Sequence, residues 1–220
     1  MSWAEIGDAL NSTKKDPNLF KPLDEWLKYR GGDIAYEYES AGTFSLTVPE
    51  WATIAIVTAC GGGGGGGYST SDEYNSYRGI GGAGGCAICN KIYTVTGGAS
   101  LSITVGKGGT GGIYNSSTAP TAGGSTVIGS LVTLAGGAGR STSSSGIGSG
   151  GAGKPGLTGG AIGSDTYYGG GSLGRGGLKE FSSYTIPPTK GGGGGGGYTG
   201  STDLHSGQDG ADGYVKIVFK

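Results

Sequence analysis

The sequence predicts a mainly β fold with polyglycine II helices: a layered, glycine-rich body preceded by a short helical N-terminal region. Three observations lead to this prediction. Fifty-five of the 220 residues are glycine, and two runs of seven glycines, at 61–67 and 191–197, are each followed by tyrosine. Short stretches rich in Val, Ile, Thr and Tyr lie between the glycine segments, as strands would. Residues 1–30 instead carry apolar side chains at helical spacing.

Residues 1–30 are predicted to form two short helices that dock onto another surface. Ser2 and Glu5 match the S-x-x-E pattern of a capping box, and Pro22 suits the first turn of a second helix. Helices of this length are marginal in water by themselves, so their apolar side chains need a partner surface. That surface is either the body of this protein or a larger assembly, and we favour attachment to an assembly. The candidate attachment residues are Trp3, Ile6, Leu10, Leu23, Trp26 and Leu27.

From residue 31 onward the sequence has the pattern of β-strands, and residues 31–220 are expected to form one domain. In 43–48, Phe and Leu alternate with Thr and Ser, which is typical of a half-buried strand. The stretch 52–59 is predicted to be a strand buried on both faces, and it runs directly into the first heptaglycine. Further strands are predicted at 91–96, 100–105, 125–128, 130–135 and 213–219.

The glycine segments interrupt these strands repeatedly instead of forming one linker. Free loops at every interruption would leave the strands little to pack against, so we predict that the segments are ordered. The regular conformation open to polyglycine is the polyproline II type of helix, in which seven residues span roughly 22 Å. Bare backbones can then approach closely and bond laterally. We expect the two heptaglycines to be neighbours in space, whereas collagen is disfavoured because no strict Gly-X-Y period exists.

Composition argues against several classes of function. The formal net charge is −1, which gives no support for binding nucleic acid or an anionic membrane. No window approaches the roughly 20 apolar residues of a membrane span, and the first residues lack the pattern of a secretory signal. The three cysteines, Cys60, Cys86 and Cys89, do not suggest a disulfide framework. We expect small buried thiols between glycine-rich segments and no metal site.

An enzyme is not expected, and neither is a cofactor. Residues 148–154 resemble a phosphate-binding loop, but Pro155 stands where the loop needs Ser or Thr. The only histidine is His205, and no serine has the strand and helix context of a nucleophile elbow. An acidic cluster is predicted to be a solvated turn rather than a calcium site, and it comprises Asp203, Asp209 and Asp212.

Polar, aromatic loops between the glycine segments suggest recognition. Tyrosine provides a large contact area at low entropic cost, as in antibody loops, and its ring also suits sugars. The alternative is that tyrosines only cover bare glycine backbone, which fits Tyr68 and Tyr198 well. The loops span 68–78, 113–122, 164–168, 178–189 and 198–206. The candidate receptor-binding residues are Tyr74, Tyr77, Tyr114, Asn115, Tyr167, Tyr168 and Tyr184.

The order of motifs resembles a known family. The run from TFSLTVPEWATIAIVTACGGGGGGG through SLSITVGKGGTGG and GGSTVIGSLVTLAGGAG to DGADGYVKIVF is similar to the glycine-rich domain of bacteriophage and prophage tail proteins. The opening MSWAEIGDALNST, followed by FKPLDEWL, is similar to the start of phage tail and receptor-binding proteins of Gram-positive hosts. In style the body is similar to the tip adhesins of T-even-type phages, which implies stacked polyglycine II helices with host-recognition loops at the distal end.

These expectations combine into a phage receptor-binding protein. It would sit at the tail tip or tail fibre of the virion, be made in the host cytoplasm, and bind a bacterial surface glycan or protein. Residues 1–30 would attach it to other tail or fibre proteins, and it would form a homo-oligomer, a trimer or higher. The alternative is a structural tail or fibre protein, or a self-assembling filament subunit, without a ligand. Ice binding is disfavoured because the glycine tracts lack regular threonine faces.

Overall fold

A computed structural model describes residues 34–71, 76–77, 79–114, 118–140, 172–173, 178–181, 184–197 and 205–220. These residues form strands and contain no helix; the two helices predicted within 1–30 lie outside them. The strands are β1 (Ile34–Tyr38), β2 (Gly42–Thr47), β3 (Ile54–Cys60), β4 (Thr70–Ser71), β5 (Ser76–Tyr77), β6 (Ala87–Thr94), β7 (Ser100–Val105), β8 (Thr126–Ile128), β9 (Val132–Leu134), β10 (Leu178–Phe181), β11 (Tyr184–Ile186) and β12 (Tyr214–Phe219).

Two antiparallel sheets of four strands make up the first part of the molecule. One has the order β1-β12-β3-β6 and the other the order β2-β7-β8-β9. Alternate residues of both sheets meet in one hydrophobic core, which makes the pair a β-sandwich. The buried core residues are Leu46, Val48, Ala52, Ala55, Val57, Ala59, Leu101, Ile103, Val105, Ile128, Leu134, Val215, Ile217 and Phe219. The mainly β class predicted from the sequence is thus confirmed.

Strand positions agree with the sequence pattern where the alternation is regular. The predicted strand 100–105 coincides with β7, and the predicted strand 213–219 is one residue longer than β12. The prediction that 52–59 is buried on both faces was wrong, because Ile54 and Ile56 on the outer face are only partly buried. β6 begins four residues before the predicted 91–96 and contains a bulge, where Asn90 has φ of 50° and the pairing with β3 shifts register.

Six strands continue directly into glycine segments, all at the same end of the sandwich. Strands β3, β7 and β9 run outward into a segment, whereas β6, β8 and β12 are entered from one. A seventh segment contains the second heptaglycine. We call this set the glycine bundle; its segments are 61–67, 79–86, 106–112, 120–124, 135–140, 191–197 and 205–213.

Candidate functional site

The first heptaglycine, 61–67, lies at the centre of the bundle and donates hydrogen bonds with a repeat of three. Each amide bonds a carbonyl of one of three antiparallel neighbours. The bonds run from Gly61, Gly64 and Gly67 to Cys86, Ala83 and Ile80; from Gly62 and Gly65 to Gly124 and Thr121; and from Gly63 and Gly66 to Ala211 and Gln208. Their N···O distances are 2.7–3.0 Å, so every amide of the segment is satisfied.

Carbonyl groups of the same segment accept from three further neighbours, and these run parallel to it. The bonds come from Gly137 and Arg140 to Gly62 and Gly65, from Gly109 and Gly112 to Gly63 and Gly66, and from Gly194 and Gly197 to Gly64 and Gly67. The last pair makes the two heptaglycines direct neighbours, which confirms that prediction. The central segment therefore has six neighbours, alternately antiparallel and parallel.

The six neighbours also bond one another and close a ring around the centre. Each segment of the ring bonds the next one, and the last bonds the first. Their order is 79–86, 191–197, 205–213, 106–112, 120–124 and 135–140. Each pair in the ring is antiparallel or is joined by a single bond. Bonds between backbone groups make up this central array.

No side chain fits at the central positions. All seven residues of each heptaglycine are buried. A Cβ placed on Gly64 would lie against the carbonyl group of Ala138 and 2.8 Å from the oxygen of Gly137. A Cβ on Gly66 would likewise meet the backbone of Gly195. Glycine is required there because of the close approach of backbones, the same reason that requires it at the collagen axis.

Two aspartates accept hydrogen bonds from amides of segment 106–112. Asp209 accepts from the amide of Gly111 at 2.7 Å, and Asp212 accepts from Gly108 at 2.8 Å and from Ala41 at 3.0 Å through its two oxygens. For these two residues the prediction of a turn was wrong, whereas solvent contact is confirmed for Asp209, which is exposed. The repeat Gly-X-Asp-Gly-X-Asp-Gly over 207–213 was a visible signal, since a period of three places both carboxylates on one side.

Three of the predicted recognition loops leave the bundle at one end. We call this the distal end; it lies away from the sandwich and contains Gly67, Gly112 and Gly197. The loops 68–78, 113–122 and 198–206 all connect there, because each follows or precedes a segment at that end. The sequence did not show which loops share an end; the register of the backbone hydrogen bonds decides it.

Hydrogen bonds lock the bases of these loops together. Ser69 is fully buried. Its amide donates to the carbonyl of His205 at 2.9 Å, and its hydroxyl accepts from the amide of His205 at 2.7 Å. The amide of Tyr114 donates to the hydroxyl of Ser206 at 3.3 Å. Segments far apart in sequence therefore present their loops from a common base.

Aromatic and apolar side chains lie on this base. The rings of Tyr68 and Tyr114 are 6.5 Å apart between centroids, and Tyr68 packs so closely on Gly112 that a Cβ there would be 2.9 Å from its ring. The alternative interpretation, that a tyrosine covers bare glycine backbone, is thus confirmed for Tyr68. Ile113, which pairs with Thr118 in an isolated bridge, is 49% exposed. The distal end therefore presents aromatic and aliphatic surface on a base that is held by hydrogen bonds.

The other predicted site residues are distributed as follows. Tyr77 is on β5, opposite Thr70, in the loop that leaves the distal end. Tyr184 is on β11, and the chain that follows it enters the bundle at the sandwich end, where Lys190 lies 4.2 Å from the ring of Tyr214. The remaining candidates lie outside the described residues: Tyr74, Asn115, Tyr167, Tyr168, and the attachment residues Trp3, Ile6, Leu10, Leu23, Trp26 and Leu27.

The cysteines differ from one another in exposure. Cys60 is buried, Cys86 is partly exposed and Cys89 is exposed, so the prediction of buried thiols holds for Cys60 alone. The Cys60 thiol donates to the carbonyl of Lys190 at 3.1 Å, and its burial raises the pKa of the thiol. Within the part of the chain that the structure describes, no three potential metal ligands come together. No helix among the described residues is long and apolar enough to cross a membrane.

A comparison with protein families gives a match over most of the chain. A family model described as a glycine-rich domain covers residues 39–220, which include every segment of the bundle and all strands of the two large sheets except β1. No curated protein matches the chain.

Proposed function

The chain belongs to the glycine-rich domain family, and on that premise we propose that it is a phage tail receptor-binding protein whose glycine segments are polyglycine II helices. Residues 1–30 attach it to the tail tip or fibre, and the loops at the distal end bind a glycan or protein of the bacterial surface. The sandwich and the bundle hold those loops in place.

The repeat of three in the hydrogen bonding supports polyglycine II helices. Such a helix has three residues per turn, so every third amide points to the same neighbour. Gly61, Gly64 and Gly67 all donate to 79–86 in this way. The six neighbours of 61–67 are what a hexagonal array of these helices requires. Among the described glycines only Gly98, Gly129 and Gly191 have positive φ. Of these three, only Gly191 belongs to the bundle. The absence of positive φ at the other described glycines of the bundle is compatible with the negative φ of this helix.

The convergence of three loops on one end of a rigid bundle is the observation that carries the recognition function. A rigid scaffold with aromatic, polar loops at one end is a common design for binding sites. Tyr114 and Ile113 lie on that end with part of their surface exposed. No catalytic chemistry is needed for this role, because binding alone brings the particle to its host.

A binding experiment with matched variants tests the proposal. The full chain is applied to an array of bacterial surface glycans and cell-wall fragments, alongside Tyr114→Ser, Ile113→Ser and the control Ile92→Ser. Ile92 is 63% exposed, comparable with Ile113 at 49%, but it lies on the sandwich. We expect the two distal variants to bind about 30-fold more weakly, as truncation of a contact worth about 2 kcal/mol would produce, and Ile92→Ser to bind as the parent does.

Two results would contradict the proposal. Distal variants that bind as tightly as the parent would remove the distal end from recognition. A purified chain that assembles into filaments and binds nothing on bacterial cells would favour the structural role, in which glycine layers pack between subunits.

A further inference from the structure

The outer face of the sheet β1-β12-β3-β6 carries an unbroken apolar row. Ala35 is the Cα partner of Val218, Val218 of Ile56, and Ile56 of Ile92, so the four side chains form a line across all four strands. Their neighbours along the strands, such as Val57, lie in the core, so the row faces away from it. Ile92 is 63% exposed, and we call this line the outer row.

Polar residues border the outer row on the side of the bundle. Glu37 and Lys216 form an ion pair of 2.7 Å, and Thr58 hydrogen-bonds Asn90 through side chain and backbone. Each of these polar side chains therefore has a partner within its own pair. The outer row itself contains no charged side chain, so its occupant must be apolar.

We propose that Leu23, Trp26 and Leu27 cover the outer row of their own chain. These residues have the spacing of one helical face. Ala35, at the edge of the sheet, is one end of the row. Residues 31–33 link 22–30 to β1, and the distance from residue 30 to residue 34 is at most about 14 Å, so the last residue of 22–30 must lie near this end of the row.

The size of the face favours a tethered segment over a second copy of the chain. Four strands spaced about 4.8 Å apart, each about 20 Å long, give a face of roughly 400 Å², about half of the 800 Å² per partner in a stable complex. A segment joined by three residues binds with a high effective concentration and needs less area. The first apolar stretch, which contains Trp3, Ile6 and Leu10, then remains for attachment to the tail. This proposal does not depend on receptor binding.

Fluorescence of Trp26 in the full chain tests the covering of the row. The reporter chain carries Trp3→Phe and Trp51→Phe, which leaves Trp26 as the only tryptophan. We expect its emission to be blue-shifted and protected from acrylamide. Ile92→Asp places a charge in the row at an exposed site, and we expect it to shift the emission to the red and to remove the protection. The matched control, Ile113→Asp at the distal end, should leave Trp26 unchanged.

A second variant on the other side of the contact makes the test specific. Leu23→Asp should also remove the protection, and Leu23→Asp with Ile92→Asp should have no larger effect than either alone, because both break one contact. Equal quenching in the reporter chain and in Ile92→Asp would overturn the proposal. Protection that disappears on dilution would also overturn it, because the occupant would then be a second copy.

Discussion

Replacing one central glycine by alanine tests whether backbone contacts hold the bundle together. Gly64→Ala would place a Cβ against the carbonyl group of Ala138 and 2.8 Å from the oxygen of Gly137, and both are backbone groups in a buried array. Because carbon atoms prefer separations of about 3.5 Å or more, the segments would have to move apart by about 1 Å. The two hydrogen bonds that 135–140 donates to 61–67, of 2.8 and 3.1 Å, span this contact, and both would be stretched.

The expected cost follows from these two bonds. Leaving a buried donor or acceptor unsatisfied costs about 1–3 kcal/mol, so two bonds cost about 2–6 kcal/mol. Alanine also lowers the conformational entropy of the unfolded chain, which stabilises the folded state by about 0.4–1 kcal/mol. We therefore expect Gly64→Ala to lower the free energy of unfolding by about 1–5 kcal/mol, since the bond losses exceed this gain.

Urea unfolding followed by circular dichroism measures the effect, with Gly42→Ala as the matched control. A Cβ on Gly42 would meet only the ring of Phe44, at 3.2 Å, and a side chain can move aside. We expect this variant to be neutral or slightly stabilised. If Gly64→Ala unfolds at the same urea concentration as Gly42→Ala, close backbone packing does not stabilise this protein and the reasoning fails.

Three further predictions concern polar groups around the bundle. Asp212→Asn should lower the free energy of unfolding by about 1–3 kcal/mol, because both oxygens of Asp212 accept backbone bonds and an amide can accept only one; Asp209→Asn, which keeps its bond, should have a smaller effect in the same urea assay. Cys89 should react with a thiol reagent in the folded protein and Cys60 only after unfolding, so equal rates would contradict the burial of Cys60. Burial raises the pKa of the Cys60 thiol above its ordinary value of 9.0. As the pH rises past 9, the thiol therefore loses its proton in the unfolded state before it does so in the folded state. The free energy of unfolding should be insensitive to this group below about pH 9 and fall above it by up to about 1.4 kcal/mol per pH unit, a component that Cys60→Ala should remove.

Much of the sandwich could be predicted from alternation of apolar and polar residues. β7 has regular alternation, and its bounds match the prediction. β1 was not predicted, although Ile34, Tyr36 and Tyr38 alternate with smaller or charged residues, and this pattern was a usable signal. The start of β6 could not be found in the same way, because its bulge at Asn90 interrupts the alternation.

The distal end was only partly predictable. The loops 68–78, 113–122 and 198–206 were singled out by composition, and Tyr114 was among the candidate residues. The contact of Ser69 with His205, and the base that it builds, joins residues 136 positions apart. No local pattern in the sequence indicates such a contact.

The sequence by itself determined that strands alternate with ordered glycine segments, while the equal length of the two heptaglycines only led us to expect them side by side. Only the tertiary structure decided the order of the segments around 61–67 and the end at which each loop emerges. The physical reason is that glycine has no side chain, so any such segment can bond any other equally well. For the six segments that continue from or into strands, the choice of neighbours is made by those strands, whose places in the two sheets are set by the hydrophobic core.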